Sequence, residues 1–278
     1  MKLNKFIIGY CAVTVLLTAL SLMSINAVTE GLWRSLINFV MLFAPLFMVW
    51  IAEGESLKKL CGQYLSFKRI DWKNAVLLIA VTALFFTLIP VVTVYLVGNV
   101  FGFSSFGQLS AGQVSAYGLF GFDMSTATGF LTAVIANILL TLVVGVITSV
   151  ATMFSEIAWR GFLPRHIHCG RYLLPLVIGA LWTLWEAPNL VCAQPVLSAV
   201  MVLIKNIALS YFLMAVVQKI GSVWISSAAM GIIATGMIVP LYDSYSSYAS
   251  TVTTVAAAIT LWLLSLALHK TTGSKTPN

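Results

Sequence analysis

Long apolar runs recur along the whole chain, and they constrain its fold more than any other feature of the sequence. A transmembrane helix needs about 20 consecutive, mostly apolar residues. The sequence therefore predicts an all-α, polytopic membrane bundle of about eight transmembrane helices, because only helices or closed barrels satisfy the backbone in lipid. We take residues 1–278 as one membrane-embedded domain that ends in a short polar tail at 271–278. The apolar runs occupy 6–24, 33–52, 74–98, 128–152, 172–190, 196–218, 222–240 and 249–268.

The charge content excludes an ordinary water-facing surface. Only 8% of the residues are charged, whereas a soluble domain carries about 25%, so no sizeable soluble domain is expected. The formal charge of +7 is spread over short segments between apolar runs, where basic residues orient a protein in the bilayer. We therefore expect membrane lipid as the surroundings and no nucleic-acid partner.

The basic residues also predict an orientation, because they fall in alternate connecting segments. The opposite set of loops contains only Arg34, and the loop 99–127 contains no basic residue. Cytoplasmic loops carry the excess of Lys and Arg, so we expect a multi-pass protein of the plasma (inner) membrane with both termini cytoplasmic. The residues on the predicted cytoplasmic side are Lys2, Lys5, Lys58, Lys59, Lys68, Arg69, Lys73, Arg165, Arg171, Lys219, Lys270 and Lys275.

The stretch 128–168 is too long for a simple span. It continues without a breaker as far as Pro164, although it contains Glu156 and Arg160. A straight helix over 128–166 would be roughly 58 Å long, nearly twice the ~30 Å hydrocarbon core. This stretch must tilt, break or project, and the sequence leaves the three alternatives open.

Four ionisable residues are predicted to lie at membrane depth: Glu156, Arg160, Glu186 and Lys205. Glu156 and Glu186 are equally far from a turn near Arg171, which places each roughly 20 Å from that turn on antiparallel helices. Lys205 comes out at a similar depth, and the four charges sum to zero. Such groups usually face the bundle interior and are functional by default. The alternative is a salt-bridge cluster that only orients helices.

Three segments between 150 and 235 resemble the motifs of one family of membrane proteases. Phe154–Leu163 reads FSEIAWRGFL, Leu181–Asn189 reads LWTLWEAPN and Gly221–Met230 reads GSVWISSAAM. In order and spacing they resemble the EExxxRG, FxxxH and HxxxN motifs of the CPBP family, the CAAX-protease and bacteriocin-processing membrane proteins. The resemblance implies a helical membrane fold of that type and metal-independent hydrolysis of peptides within the membrane.

The chain departs from the family pattern where the chemistry would lie. The resemblance implies that a Glu and a His activate water, while a second His and an Asn stabilise the oxyanion. Glu156 and Arg160 of the first motif are retained, but the side chains at the oxyanion positions cannot donate hydrogen bonds. The residues that replace the family's catalytic ones are Ser155, Glu186, Met230 and Ala234.

The retained and replaced motif residues leave three classes of function open. We expect first a catalytically degenerate or altered homologue that binds or helps to process a membrane peptide or protein partner. The alternative is an active intramembrane endopeptidase that uses Glu186 and Glu156 with Arg160, or a nucleophile pair of Ser155 and Lys205. A transporter or channel subunit is the third class, because charges lie at depth. The residues expected to line the cavity are Ser155, Lys205, Asn189, Met230 and Ala234.

No cofactor and no metal are expected. His166 and His168 lie beside Cys169 in a short basic loop, but a zinc site normally needs a fourth ligand or a bound water in defined geometry.

Overall fold

The computed structural model describes residues 1–24, 30–65, 70–94, 114–116, 120–122, 127–193, 196–238 and 247–272. The first half contains α1 (Lys2–Ser24), α2 (Glu30–Glu53), α3 (Leu57–Tyr64), α4 (Trp72–Val94), β1 (Val114–Ala116) and β2 (Phe120–Phe122). Next come α5 (Ala127–Glu156), a π-helix (Ile157–Phe162) and α6 (Leu163–His166). The remainder contains α7 (Leu173–Trp185), α8 (Ala187–Ala193), α9 (Val196–Ile220), α10 (Val223–Ile238) and α11 (Ser247–Thr272).

The described helices confirm a helical membrane protein. Each predicted apolar run overlaps at least one helix of the structure. Three of the apolar helices are short: Leu173–Trp185, Val223–Thr235 and Thr254–His269. The number of crossings, eight in the sequence analysis, stays a prediction. In the part of the chain that the structure describes, five helices are long and apolar enough to span a bilayer: Lys2–Ser24, Gly31–Glu53, Trp72–Ile89, Val134–His166 and Ala199–Ile220.

The distribution of side chains fits a lipid environment. Large apolar residues such as Ile8, Val15 and Ile147 are mostly exposed on the bundle surface. Small polar residues such as Ser210 and Ser226 are completely buried between helices. Interfaces between membrane helices are enriched in small and hydroxylated residues because these allow close approach and hydrogen bonds across helices.

The long stretch 128–168 is accommodated by a change of helix type. After Glu156 the chain forms a π-helix, in which the N–H of Leu163 donates to the carbonyl of Ala158, five residues earlier. Pro164, which follows, has no N–H and its ring conflicts with the carbonyl four residues before it. A wider π turn relieves this conflict, so the helix continues to His166 without a break.

The predicted span 172–190 is divided at Glu186. The helix α7 ends at Trp185, and α8 starts again at Ala187. The N–H groups of Asn189 and Leu190 donate to the carbonyl of Glu186, so this residue both ends α7 and starts α8. Pro188 cannot donate to Leu184, as continuation of α7 would require, which explains the interruption.

Both ends of the described chain lie at one end of the bundle, which we call the basic end. Lys2, at the start of α1, pairs with Glu53 at the end of α2. His166 Nε2 lies 3.9 Å from Glu53 Oε1. Five residues further on, Arg171 lies beside His269 near the end of α11, with 2.8 Å between Nη2 and Nδ1. An even number of crossings would give this arrangement.

The polar segments differ in how much of them the structure describes. The segment 52–73, between two apolar runs, contains α3, and Leu60 and Tyr64 of this helix are buried. The loop 99–127 and the tail 271–278 lie largely outside the described residues. The described parts of that loop include an antiparallel pairing of β1 with β2, in which Ser115 faces Gly121.

Candidate functional site

The polar centre of the bundle is an ion pair between Glu156 and Arg160. Arg160 Nη1 lies 3.2 Å from Glu156 Oε1, and both side chains are completely inaccessible. Glu156 is the last residue of α5, and Arg160 lies in the π-helix that follows. Because π turns inside α-helices occur frequently at functional sites, this local distortion marks the pair as a candidate site.

Two serines and a tryptophan complete the surroundings of the pair. Ser226 of α10 donates through Oγ to Glu156 Oε2 at 2.6 Å. Arg160 Nη2 donates to Ser210 Oγ of α9 at the long distance of 3.4 Å. The guanidinium carbon also lies 4.5 Å from the ring centroid of Trp182, a cation–π contact that gains strength when water is excluded. Three other helices, α7, α9 and α10, therefore contact this pair of charges.

The serine that contacts Glu156 is held by a close seam between α5 and α10. A Cβ atom on Gly231 would lie 2.4 Å from the carbonyl oxygen of Gly145, so the two backbones nearly touch. Along the same seam, Ser227 donates to the carbonyl of Ser149 at 2.6 Å, and its Oγ lies 2.9 Å from Thr152 Oγ1. This packing leaves Ser226 beside the carboxylate of Glu156.

Aromatic residues enclose the other side of the pair. The rings of Trp159 and Trp182 are stacked with 6.4 Å between centroids, and Trp159 meets Trp185 edge-on at the same separation. Tyr10 of α1 packs against Trp185 at 5.7 Å and donates its hydroxyl to the carbonyl of Leu181 at 2.7 Å. Trp185 donates to the carbonyl of Met41 on α2 at 3.1 Å. Side chains of the surrounding helices therefore enclose the pair of Glu156 and Arg160.

Ser210, Ser226 and these aromatic residues are not among the site residues predicted from the sequence. The serines resemble ordinary small residues of membrane helices, and the tryptophans and Tyr10 occur within apolar runs. One signal was available for Tyr10 and Trp185, since the polar group of such a residue usually finds a hydrogen-bond partner when buried, whereas the buried Nε1 of Trp159 has none among the described residues. Nothing in the sequence identifies which helix supplies that partner.

Glu186 lies at the break between α7 and α8 and is partly exposed. Arg160 contacts Trp182. Glu156 is four residues from Arg160, and Glu186 is four residues from Trp182, in each case on the side away from the basic end. This register is compatible with the equal spacing of Glu156 and Glu186 from Arg171, and their common depth in a bilayer stays a prediction. Within the described residues no ion pair joins Glu186 to Arg160 or Lys205, so the prediction that the four charges share one cavity stays a prediction.

No described contact joins Lys205 or Asn189 to the buried pair of Glu156 and Arg160. Lys205 is partly exposed on α9, next to Asn206, whose side-chain amide donates to Thr183 Oγ1 at 3.3 Å. Asn189 is exposed on α8 and donates to Asn38 Oδ1 of α2 at 3.0 Å. Asn189 also donates its backbone N–H to the carbonyl of Glu186, so it lies beside the helix break.

The other candidate residues have structural contacts. Ser155 donates to the carbonyl of Thr152 on its own helix at 2.8 Å. Met230 is partly buried and packs against the hydrophobic core, while Ala234 is partly buried on α10. Since neither Met230 nor Ala234 has a side-chain donor, neither can stabilise an oxyanion with its side chain.

A second polar cluster lies at the basic end and was not recognised in the sequence. Tyr64 donates its hydroxyl to Glu53 Oε1 at 3.0 Å, and the guanidinium carbon of Arg165 lies 4.5 Å from the Tyr64 ring centroid. Burial, followed by the hydrogen bond to Glu53, raises the pKa of Tyr64 to about 12. This phenol therefore stays a neutral donor and ties α3 to α2.

Metal binding has no support in the described geometry. Among residues whose placement is described, no three His, Cys, Asp or Glu side chains form a group that could hold a metal ion. His166 instead stacks on Phe162 with 4.1 Å between ring centroids.

Comparison of the chain with protein-family models and with curated protein sequences gives no match in either case.

Proposed function

We propose that this chain is a non-hydrolytic, membrane-embedded binding protein with the architecture and motif order of CPBP-type proteases. In this proposal it crosses the plasma (inner) membrane eight times with both termini cytoplasmic, and it binds a membrane peptide or protein partner. The observation that carries the proposal is the state of Glu156. Its carboxylate is sealed from water and engaged by Arg160 and Ser226.

A general base must reach the proton that it removes, either directly or through one water molecule. Glu156 is completely buried, and its two oxygens face a guanidinium and a hydroxyl. Hydrolysis would also require hydrogen-bond donors aimed at the developing oxyanion. Met230 and Ala234 occupy the corresponding motif positions, and their side chains have no donor. The pair therefore serves to orient α5, α9 and α10 rather than to activate water.

The helix break at Glu186 is the place that best suits a membrane-inserted partner. Non-helical backbone at membrane depth is tolerated where it is buried in protein or lines a cavity. Glu186 lies about 20 Å from the start of α7 by helical rise and is partly exposed. None of the ion pairs between described residues includes it. A carboxylate at this depth favours a cationic or N–H-rich group on the partner.

A second candidate function is favoured by the same partial exposure. Glu186 occupies the motif position of the family's water-activating His, and a base with access to water and to a peptide bond could support hydrolysis. In that case the chain would be an intramembrane endopeptidase with Glu186 as the general base.

Reconstitution with synthetic transmembrane peptides separates the two candidates. The purified full-length chain is placed in liposomes with a peptide that carries one midplane lysine, and with a matched peptide that carries leucine there. Energy transfer measures binding, and mass spectrometry detects peptide fragments. We expect intact lysine peptide to bind, with binding reduced about tenfold in Glu186→Gln and unchanged in Glu55→Gln, which removes a charge near the bundle end.

The other outcomes are equally definite. Fragments that appear with the wild type and vanish in Glu186→Gln would establish the endopeptidase instead. Equal binding of both peptides, without cleavage, would remove Glu186 from recognition and contradict the proposal.

A further inference from the structure

A cavity of about 550 Å³ lies at the basic end, between the start of α7 and the last turns of α11. It is separate from the buried pair of Glu156 and Arg160. Its lining combines basic, aromatic and aliphatic side chains in one place. The lining residues are Arg171, Tyr172, Leu263, Leu266, Ala267 and His269.

The polar part of this cavity suits an anion. Arg171 Nη2 donates to His269 Nδ1 at 2.8 Å, and the guanidinium carbon lies 5.9 Å from the Tyr172 ring centroid. No carboxylate is among the described residues that line the cavity, and none of the described carboxylates forms an ion pair with Arg171. Its positive charge is therefore available, and a guanidinium binds the oxygens of a phosphate through paired hydrogen bonds.

The apolar part of the cavity lies next to the polar part, closer to the membrane interior. Leu266 and Leu263 lie about 5 Å and 9 Å from His269 along the axis of α11 by helical rise, toward the membrane interior. Their side chains are 55% and 62% exposed, so this wall faces lipid. The polar groups lie at the basic end, and the exposed leucines lie about one and two turns deeper. The phosphate and the acyl chain of a phospholipid have the same order, so the cavity matches an amphiphile.

We propose that this cavity binds one anionic phospholipid, with its phosphate on Arg171 and His269 and an acyl chain along Leu263 and Leu266. Basic pockets between transmembrane helices at the headgroup level are a recognised form of lipid recognition. The phosphate chemistry alone would also suit a soluble phosphate ester, but such a ligand would gain nothing from the leucines.

Native mass spectrometry of the full-length chain in detergent tests the site. The chain is titrated with phosphatidylglycerol, with phosphatidylcholine of the same acyl chains, and with the soluble headgroup glycerophosphoglycerol. We expect preferential binding of one phosphatidylglycerol, with affinity reduced about tenfold by Arg171→Gln and less by Arg171→Lys. Lys58→Gln is the matched control, since Lys58 is an exposed cation on α3 outside the cavity.

Three results would overturn the proposal. An equal loss of affinity in Lys58→Gln and Arg171→Gln would indicate general attraction to the basic end. Equal binding of the soluble headgroup and the lipid would identify a phosphate-ester site. Unchanged affinity in both Arg171→Gln and His269→Gln would remove the cavity from recognition, and thermal unfolding without lipid verifies that each variant is folded.

Discussion

At the residue scale, Glu156 and Arg160 illustrate how a helical membrane protein retains two charges in its interior. Removing charges from water is costly, and their attraction repays the cost only with good geometry and further hydrogen bonds. Ser226, Ser210 and the face of Trp182 supply part of these contacts, whereas Nε and Nη1 of Arg160 are buried without a hydrogen bond to a described residue. Glu186 and Lys205, by contrast, are partly exposed.

We expect Arg160→Met to destabilise the fold strongly, because Glu156 would remain buried without a counter-charge. Breaking such a pair from one side costs roughly 3–5 kcal/mol, measured as the free energy of unfolding in detergent micelles. The double variant Glu156→Leu/Arg160→Met should recover most of this loss, since apolar replacement of a whole buried pair is often neutral.

The exposed pair of Lys59 and Glu55, at 2.8 Å, provides the control. Lys59→Ala should change the free energy of unfolding by less than about 1 kcal/mol. A double variant as unstable as Arg160→Met alone would mean that the interior depends on more than the balance of these charges.

At the scale of elements, two features decide how the site is built: the π-helix after α5 and the close seam between α5 and α10. The π turn places Arg160 four residues beyond Glu156 while keeping the helix continuous up to His166. The seam brings α10 near enough for Ser226 to reach the carboxylate.

Gly231→Ala should disrupt this seam, because the new Cβ would lie 2.4 Å from the carbonyl oxygen of Gly145 and 2.8 Å from the backbone N of Ser149. Neither backbone atom can move without shifting a helix, so we expect a loss of at least about 1–3 kcal/mol in unfolding free energy. Gly62→Ala on α3 is the matched control, since a Cβ there meets nothing within 4 Å.

The control should be neutral or slightly stabilising, because alanine favours a helix over glycine. If Gly231→Ala melted at the wild-type temperature, the close approach of α5 and α10 would be wrong.

Asp71, which precedes α4, gives a prediction for pH. Its carboxylate accepts from the backbone N–H of Asn74 at 3.2 Å and from the Asn74 side chain at 2.6 Å. These bonds, with nearby Lys219 and Lys73, lower the pKa of Asp71 below its ordinary value. The stabilisation is therefore complete above the unfolded-state pKa of about 3.9 and is lost as the pH falls through the lower folded-state value.

Melting temperatures of the wild type and Asp71→Ala should consequently differ by a constant amount between pH 5 and pH 7 and converge below about pH 4. Asp71→Asn keeps a side-chain acceptor without a titrating charge, so its melting temperature should show no such dependence. A difference that persisted unchanged at pH 3 would contradict the assignment.

At the scale of the whole molecule, the bundle gathers its basic groups at one end, where both ends of the described chain also lie. Lys2, Arg165 and Arg171 belong to this end, and so does the cavity lined by His269. The positive-inside rule predicts that this end faces the cytoplasm.

Cysteine labelling tests the orientation. Cys61 and Cys169 are partly exposed and lie in α3 and in the segment after α6, both at the basic end. With Cys61 as the only cysteine, a membrane-impermeant maleimide should label inverted vesicles and leave intact cells unlabelled. A cysteine introduced by Ser110→Cys, in the loop predicted on the opposite side, should show the reverse. Exchange of the two patterns would mean that the protein is inserted the other way round.

Much of the architecture could be predicted from hydropathy and charge. The apolar runs overlap the observed helices. The division of 172–190 at Glu186 was missed, although Pro188 was visible as a possible cause. The π turn at Ile157–Phe162 was not predicted either, because it depends on a local strain that hydropathy does not record.

The sequence by itself determined a helical membrane protein, because backbone groups in lipid must be satisfied within each segment and apolar runs of sufficient length are local features. Only the tertiary structure decided the partners of the buried charges. Ser226 is 70 residues from Glu156 in sequence, and Ser210 is 50 residues from Arg160. Such contacts depend on the rotation and closeness of packed helices, which small residues at the interfaces control and which no single apolar run encodes.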